Sequence, residues 1–227
     1  QAIEGLDIEA MRNAEYDGSV EDLFYYIQRE IAVGCGDADI AGKVHTARSR
    51  NDIDVTIYRL CLRQQTLDLI EVCSTLHKVF LDLAAAHHES LMPAYTHTQP
   101  AQPTTIAHYL LAMAENTGRD IVRIRRAYEN MNLCPLGACA ITTTGFPIDR
   151  ARVADLLGFD GPTRNSYGSI ASVDYFTELL GSVSGLLINV GKFAQEFLLM
   201  AMVEFDVIRL PDGYVQASSI MPQKRNP

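Results

Sequence analysis

Between Ser49 and His88 the chain runs for about 35 residues without a proline or a glycine, roughly three times the length of an ordinary globular helix. Within that run Ile57, Leu60, Leu67, Ile70, Leu76, Val79, Phe80 and Leu83 recur mostly at steps of three and four, the spacing that lines one helix face. Ser49 and Asp52 open it with the spacing of a capping box. A helix draws most of its stability from the packing of its apolar face, so one this long needs equally long neighbours. That requirement restricts the chain to a bundle of long helices.

The rest of the sequence supplies the neighbours. A second uninterrupted pattern runs from Pro103, favourable in a first helical turn, to Asn130. A third starts near Ser172 and carries Phe176, Leu180, Val183, Leu187, Val190, Phe193, Phe197 and Met200 at bundle spacing. Gly181 and Gly185 on it either let another helix approach closely or, more plainly, loosen the packing. Shorter helices are expected over Glu21–Val33, where Ser19 and Asp22 again have capping-box spacing, and over Asp149–Leu157. Residues 34–50, the stretch punctuated by Pro93, Pro100 and Pro103, and residues 134–150 read as loops or irregular structure. No run alternates convincingly enough to be a strand. The expected fold is all-α: an elongated bundle of long helices with a short helical N-terminal part. Residues 1–50 read as the end of an N-terminal domain and 51–227 as the bundle.

Composition narrows the function. Lys and Arg number 19 against 28 Asp and Glu, a formal net charge of -9, whereas a phosphate backbone calls for a cationic surplus. Nucleic acid is excluded as the main partner, and local cations such as Arg48 with Arg50 or Lys224 with Arg225 are left for something small. Five cysteines without a CxxC spacing argue against a disulfide framework or a structural zinc site and for a reducing, cytoplasmic setting. The greasiest stretch, Leu186–Val203, is broken by Asn189, Lys192, Gln195 and Glu196, so no membrane span is expected. Glu4, Asp7 and Glu9 stand where a signal peptide would be basic and then apolar.

Three loops hold more chemistry than turns require. KVHTARSRNDID, Lys43–Asp54, brings Ser49, Arg50 and Asn51 to the start of the longest helix, where free N–H groups and the helix dipole favour an anion. Ser49 and Asp52 are explained by capping; Arg50 and Asn51 are not, and suit a carboxylate ligand. YTHTQPAQPTT, Tyr95–Thr105, holds His97 ahead of a proline-stiffened stretch, where an imidazole can move protons near neutral pH. His87, His88 and His108 lie near it in sequence, but no HExxH-like pairing with a carboxylate occurs, so no metal is expected. The third loop, ASSIMPQKRNP, Ala217–Pro227, places Ser218, Ser219, Lys224, Arg225 and Asn226 around two apolar residues, a pattern of an exposed loop rather than a core element. Lys224 stabilises either an anion of a serine or negative charge growing on a substrate carboxylate.

HTARSRND, YTHTQPAQP and SSIMPQKRNP, in this order and spacing, resemble the three signature regions of the argininosuccinate lyase family within the fumarase and aspartase superfamily. The resemblance covers about Glu21 to Pro227 and implies the central helical domain of that fold. It also implies a cofactor-free, reversible anti elimination releasing fumarate from an N-substituted aspartate. Matched residue by residue, it makes Ser218 the base, Lys224 the stabiliser of the aci-carboxylate and His97 the acid. Thr96, Ser49, Arg50, Asn51 and Asn226 become substrate ligands. It further implies a homotetramer whose active sites draw loops from several subunits.

The departures bear on the substrate. Ala47 and Ala217 replace usual glycines, Ile53 a usual glutamine, and Thr98 and Pro100 the leucine and arginine of THLQRAQP. All of the matched reactive residues are kept. A related lyase acting on another N-substituted aspartate such as ethylenediamine-disuccinate, a non-catalytic crystallin-like relative, and a carboxylate-binding module are the competing readings. Family members are much longer, so the chain is expected to be a fragment, inactive alone, that ends before the family's acidic partner of the histidine and its guanidinium-binding positions.

Overall fold

The computed structural model describes residues 2–15 and 17–227. Among them the chain is mostly helical: α1 (Ile8–Asn13), α2 (Leu23–Cys35), α3 (Ala38–Val44), α4 (Arg50–Ala86), α5 (Ile106–Met131), α6 (Arg150–Leu156), α7 (Ser166–Ala171) and α8 (Asp174–Met200). The long helices expected from the apolar steps are α4, α5 and α8, and α4 is 37 residues long. Two small antiparallel hairpins correct the all-α expectation: β1 (Leu91–Thr96) with β2 (Gln99–Thr105), and β3 (Gln216–Ala217) with β4 (Arg225–Asn226). In the first, Pro93 stands opposite Pro103, two residues without N–H groups, which a two-stranded ribbon tolerates because both strands are edges. Pro103 therefore belongs to β2, and α5 begins only at Ile106.

Asp and Asn side chains start the short helices. Asp7, Asp22, Asp37, Asp149 and Asn165 each accept a first-turn amide. Ser19 is not the cap of α2: Asp22, adjoining the first helical residue, accepts Tyr25 N–H at 3.1 Å, and Ser19 Oγ accepts from Arg29 instead. Helix α3 escapes the periodicity because it is 7 residues long and contains Gly42.

The chain divides into two compact units, Gln1–Leu62 with Asn132–Val173, and Arg63–Met131 with Asp174–Pro227. In the first, the N-terminus of α4 is tied to the irregular segment after α5. Asp52 is fully buried; its Oδ1 accepts Ser49 N–H at 2.8 Å, completing the capping box, while Oδ2 accepts Gly137 N–H at 3.0 Å and Cys139 N–H at 2.9 Å. Gly137 is required there: its φ is +94°, and a Cβ would lie 2.8 Å from Arg150 Cγ. A small core of Cys134, Ala154 and Phe159, flanked by Leu60, Leu136, Val153 and Leu157, sits beside this knot. Arg150 closes the segment through the carbonyl and hydroxyl of Thr163, both at 3.1 Å.

In the second unit, Phe80, Ala84, Ala107, Leu110, Met113 and Ala114 form the core, with Phe193 and Phe197 of α8 packed against it. Phe80 meets Phe193 edge-on at 4.8 Å between ring centres. Polar pins set the register of α5 on α8: buried Asp120 accepts from Asn189 at 2.8 Å, and Glu178 accepts from Asn130 at 2.8 Å. Gly181 and Gly185 have nothing within 4 Å of a built Cβ, so neither marks a close helix approach among the described residues.

Asp52→Asn replaces two acceptor oxygens by one and leaves at least one of the three amides without its bond. The expected loss is about 3 kcal/mol, read as a shift of the urea midpoint, while exposed Asp54→Asn moves it by less than about 0.5 kcal/mol.

Candidate functional site

The C-terminal hairpin holds the first cluster. Its ladder pairs Gln216 with Asn226 and Ala217 with Arg225, and the next positions of the same register are Ser218 and Lys224. There the ladder ends and the chain opens into a loop. Ser218 Oγ accepts Met221 N–H at 3.1 Å and, at the limit of a bond, Ile220 N–H at 3.5 Å. Amide donors aimed at a hydroxyl oxygen favour its anion, the form a base requires. Lys224 is exposed, and among the described residues its ammonium has no ion pair. A cavity of about 640 Å³ adjoins this hairpin, lined by Arg209, Gln223, Lys224 and Arg225 with Asp206 and Met221. With Arg225 paired to Asp212, Arg209 and Lys224 against Asp206 still leave it suited to an anion.

His97 and Thr98 form the two-residue turn of the β1–β2 hairpin, with φ of +51° and +63°. Positive φ at both central positions matches the twist of a tight hairpin, a job usually given to Asn-Gly. The imidazole of His97 is thereby presented at an exposed apex, and Thr96 is exposed beside it. Beneath this hairpin lies a second cavity of about 560 Å³, where the Tyr109 hydroxyl donates to Glu196. Burial, and then the Glu196 carboxylate, push the Tyr109 phenol well above its ordinary range.

The third cluster, Ser49, Arg50 and Asn51, is at the start of α4 in the first unit. Ser49 Oγ accepts Asn51 N–H at 3.3 Å as the cap, and the Asn51 side chain is exposed. The Arg50 guanidinium is engaged: it donates to Asp22 at 2.6 Å and Glu21 at 3.0 Å and lies over the Tyr25 ring. That pairing raises Arg50 above its ordinary range and lowers Asp22. The expected residues thus fall into three groups, Ser218 with Lys224 and Asn226, Thr96 with His97, and Ser49 with Arg50 and Asn51. Missed at the level of sequence was Asp212, which accepts from Arg225 while the same guanidinium donates to Leu210 O at 2.8 Å. The signal was the LPDG turn ahead of the serines. No group of three His, Cys, Asp or Glu side chains placed to hold a metal ion occurs among the described residues. No helix among them is long and apolar enough to cross a membrane.

The family model described as Lyase matches residues 18–227, and the chain belongs to that family. Among individual relatives, it is 49% identical over 212 residues to argininosuccinate lyase 2 of Agrobacterium fabrum, and 43% identical over 211 residues to the argininosuccinate lyase of Methanosarcina mazei. Each alignment takes in 93% of this chain and, respectively, 42% and 43% of the relative, so the chain spans less than half their length. Among solved structures, EDDS lyase in complex with formate superposes with a TM-score of 0.88 at 36% identity, covering 100% of this chain and 45% of that one. An EDDS lyase variant with bound fumarate superposes at 0.86, also at 36% identity, over 96% of this chain and 44% of that one.

Thr98 is β-branched at a left-handed turn position. Thr98→Gly is expected to stabilise the protein by about 1 kcal/mol, seen as a higher melting midpoint, whereas the same exchange at Thr104 in β2 destabilises it.

Proposed function

We propose that this chain is the part of a carbon–nitrogen lyase that bears its reactive loops, and that the whole protein cleaves argininosuccinate reversibly to arginine and fumarate in arginine biosynthesis. The observation that carries the reading is the C-terminal hairpin, which pairs Ala217 with Arg225 and so brings the chain neighbours Ser218 and Lys224 to the mouth of one loop, where the Met221 amide is aimed at the Ser218 oxygen. In the elimination, Ser218 as alkoxide removes the proton beside a carboxylate. The electron pair moves into that carboxylate, and the Lys224 ammonium stabilises the doubly charged aci form. Expulsion of the neighbouring nitrogen then forms the fumarate double bond, and His97 protonates the leaving nitrogen as general acid. Ser49, Arg50, Asn51, Thr96 and Asn226 bind the substrate. Asn51 and Asn226 offer amide donors for carboxylates, and Arg50 does so when a substrate anion competes with Glu21 and Asp22. The reaction transfers no electrons to an acceptor, so the reading needs no cofactor.

For the whole protein we infer the fumarase and aspartase fold, with residues 1–50 ending its N-terminal domain and 51–227 in its central long-helix bundle. The unpartnered apolar side chains of the long helices, such as Val72 on α4 and Leu187 and Ile188 on α8, support a homotetramer with shared sites. The similarity to argininosuccinate lyases supports a cytoplasmic enzyme.

The similarity to EDDS lyase favours a second reading, elimination from another N-substituted aspartate by the same residues. Fumarate release by the full-length protein, followed by absorbance with argininosuccinate and with aminopolycarboxylates, separates the two; no fumarate from either class overturns both. Ser218→Ala and Lys224→Met are each expected to lower kcat by about a thousandfold while leaving the unfolding midpoint unchanged.

A further inference from the structure

Arg225 lies between two residues assigned to the reaction, yet its own guanidinium is held elsewhere. In an antiparallel ladder, residues directly opposite share a face and successive residues alternate. The register therefore puts Gln216 with Asn226 on one face and Ala217 with Arg225 on the other, and the same alternation carried one step past the ladder puts Ser218 and Lys224 with the first pair. On that second face Arg225 binds two acceptors through separate nitrogens, the Asp212 carboxylate through Nη1 and the Leu210 carbonyl through Nη2. Lysine, a single point donor on a flexible stem, does not reproduce this fork. The other bonds of the hairpin are local: a ladder of two residue pairs, the Ser218 turn, and Lys224 N–H to Met221 O at 3.0 Å.

We propose that Arg225 and Asp212 form a clasp that fixes the mouth of the Ser218–Lys224 loop, making Arg225 a positioning residue and not a substrate ligand. The proposal rests on the lyase reading for its catalytic consequence and on geometry alone for its structural one. With Arg225 pinned on one face, alternation turns Lys224 and Asn226 to the other, on the side of Ser218. The Arg225 guanidinium also holds the Asp212 carboxyl below its usual range, so the pair is charged at neutral pH. Of the two neighbouring cations in the hairpin, Lys224 is the one left for a substrate carboxylate.

Two readouts in the full-length protein test the clasp. Trypsin nicking after Lys224, timed by mass spectrometry, is expected to be about two to five times faster in Asp212→Asn, the range an exposed ion pair commands. In fumarate release, Arg225→Gln is expected to lower kcat about tenfold with KM within about twofold, because a misplaced loop costs rate rather than binding. Arg225→Lys falls in between, and the exchange Asp212→Arg with Arg225→Asp recovers part of the loss. Unchanged nicking together with unchanged kcat overturns the clasp. A KM raised about tenfold at constant kcat in Arg225→Gln also overturns it, by making Arg225 a ligand. A wild-type protein that releases no fumarate sinks the lyase reading instead, and nicking still decides the clasp.

Discussion

Three backbone amides converge on the buried carboxylate of Asp52, and the first unit is organised around that convergence. A carboxylate shut away from water must have its lone pairs satisfied, and the N-terminal turn of a helix is where its charge is best tolerated. Asp52 meets both conditions by closing the capping box of α4 with one oxygen and gathering the segment after α5 with the other. The segment reaches it by left-handed turns at Cys139, Ala140 and Thr143, and Ala47, just ahead of α4, is left-handed as well; none of the four is glycine. Each such residue costs about 1–2 kcal/mol relative to an ordinary conformation; Cys139 is held by its bond to Asp52 and Thr143 by its hydroxyl on the Gly137 carbonyl. The Cys139 thiol adds a bond to the Ala47 carbonyl at 2.7 Å, joining two of the strained positions. The start of α4, and with it Ser49 and Asn51, is placed by this knot.

The long helices were legible because their apolar steps are local and repeated. The local half of the Asp52 knot was legible too, since a capping box spans four consecutive residues. The other half was not, because Gly137 and Cys139 lie far along the chain and nothing in their own neighbourhood announces a carboxylate acceptor. Arg50 shows the same limit. Its position beside a helix N-terminus suggests an anion ligand, but its partners Glu21 and Asp22 come from the start of α2. The hairpin at Leu91–Thr105 was hidden for another reason. Its prolines and polar residues give no alternation, and it is held instead by burial of Met92 and by Tyr95 packing edge-on against Phe205 at 5.0 Å.

Polar contacts set the register of the second unit where apolar surfaces alone allow slippage. Smooth helix faces slide past one another at small cost, whereas a buried Asp120 displaced from Asn189 loses a charge-assisted bond. Tyr109 and Glu196 do the same nearer the β1–β2 hairpin, and Lys192 flanks Glu196 at 3.7 Å. These pins lie along α5, which leaves the hairpin carrying His97, and α8, which precedes the hairpin carrying Ser218. Rigid elements with fixed register are the supports that reactive loops need, because geometry at a site is only as accurate as the residues beneath it.

On the proposed reading, the departures of this chain from the family pattern fall at backbone positions and spare the reactive groups. Ala47 stands at φ +57°, which explains the usual glycine there without any appeal to substrate. Thr98 stands at φ +63° in the turn beside His97, so its exchange alters how the imidazole is presented. Ala217 sits within β3, where an extended backbone accepts alanine readily, next to Ser218. The elimination itself concerns a proton beside a carboxylate and a carbon–nitrogen bond, features common to argininosuccinate and to other N-substituted aspartates. In this chain the loop positions follow from backbone strain and from anchors away from the reactive residues, Asp52 for the first loop and Asp212 for the third.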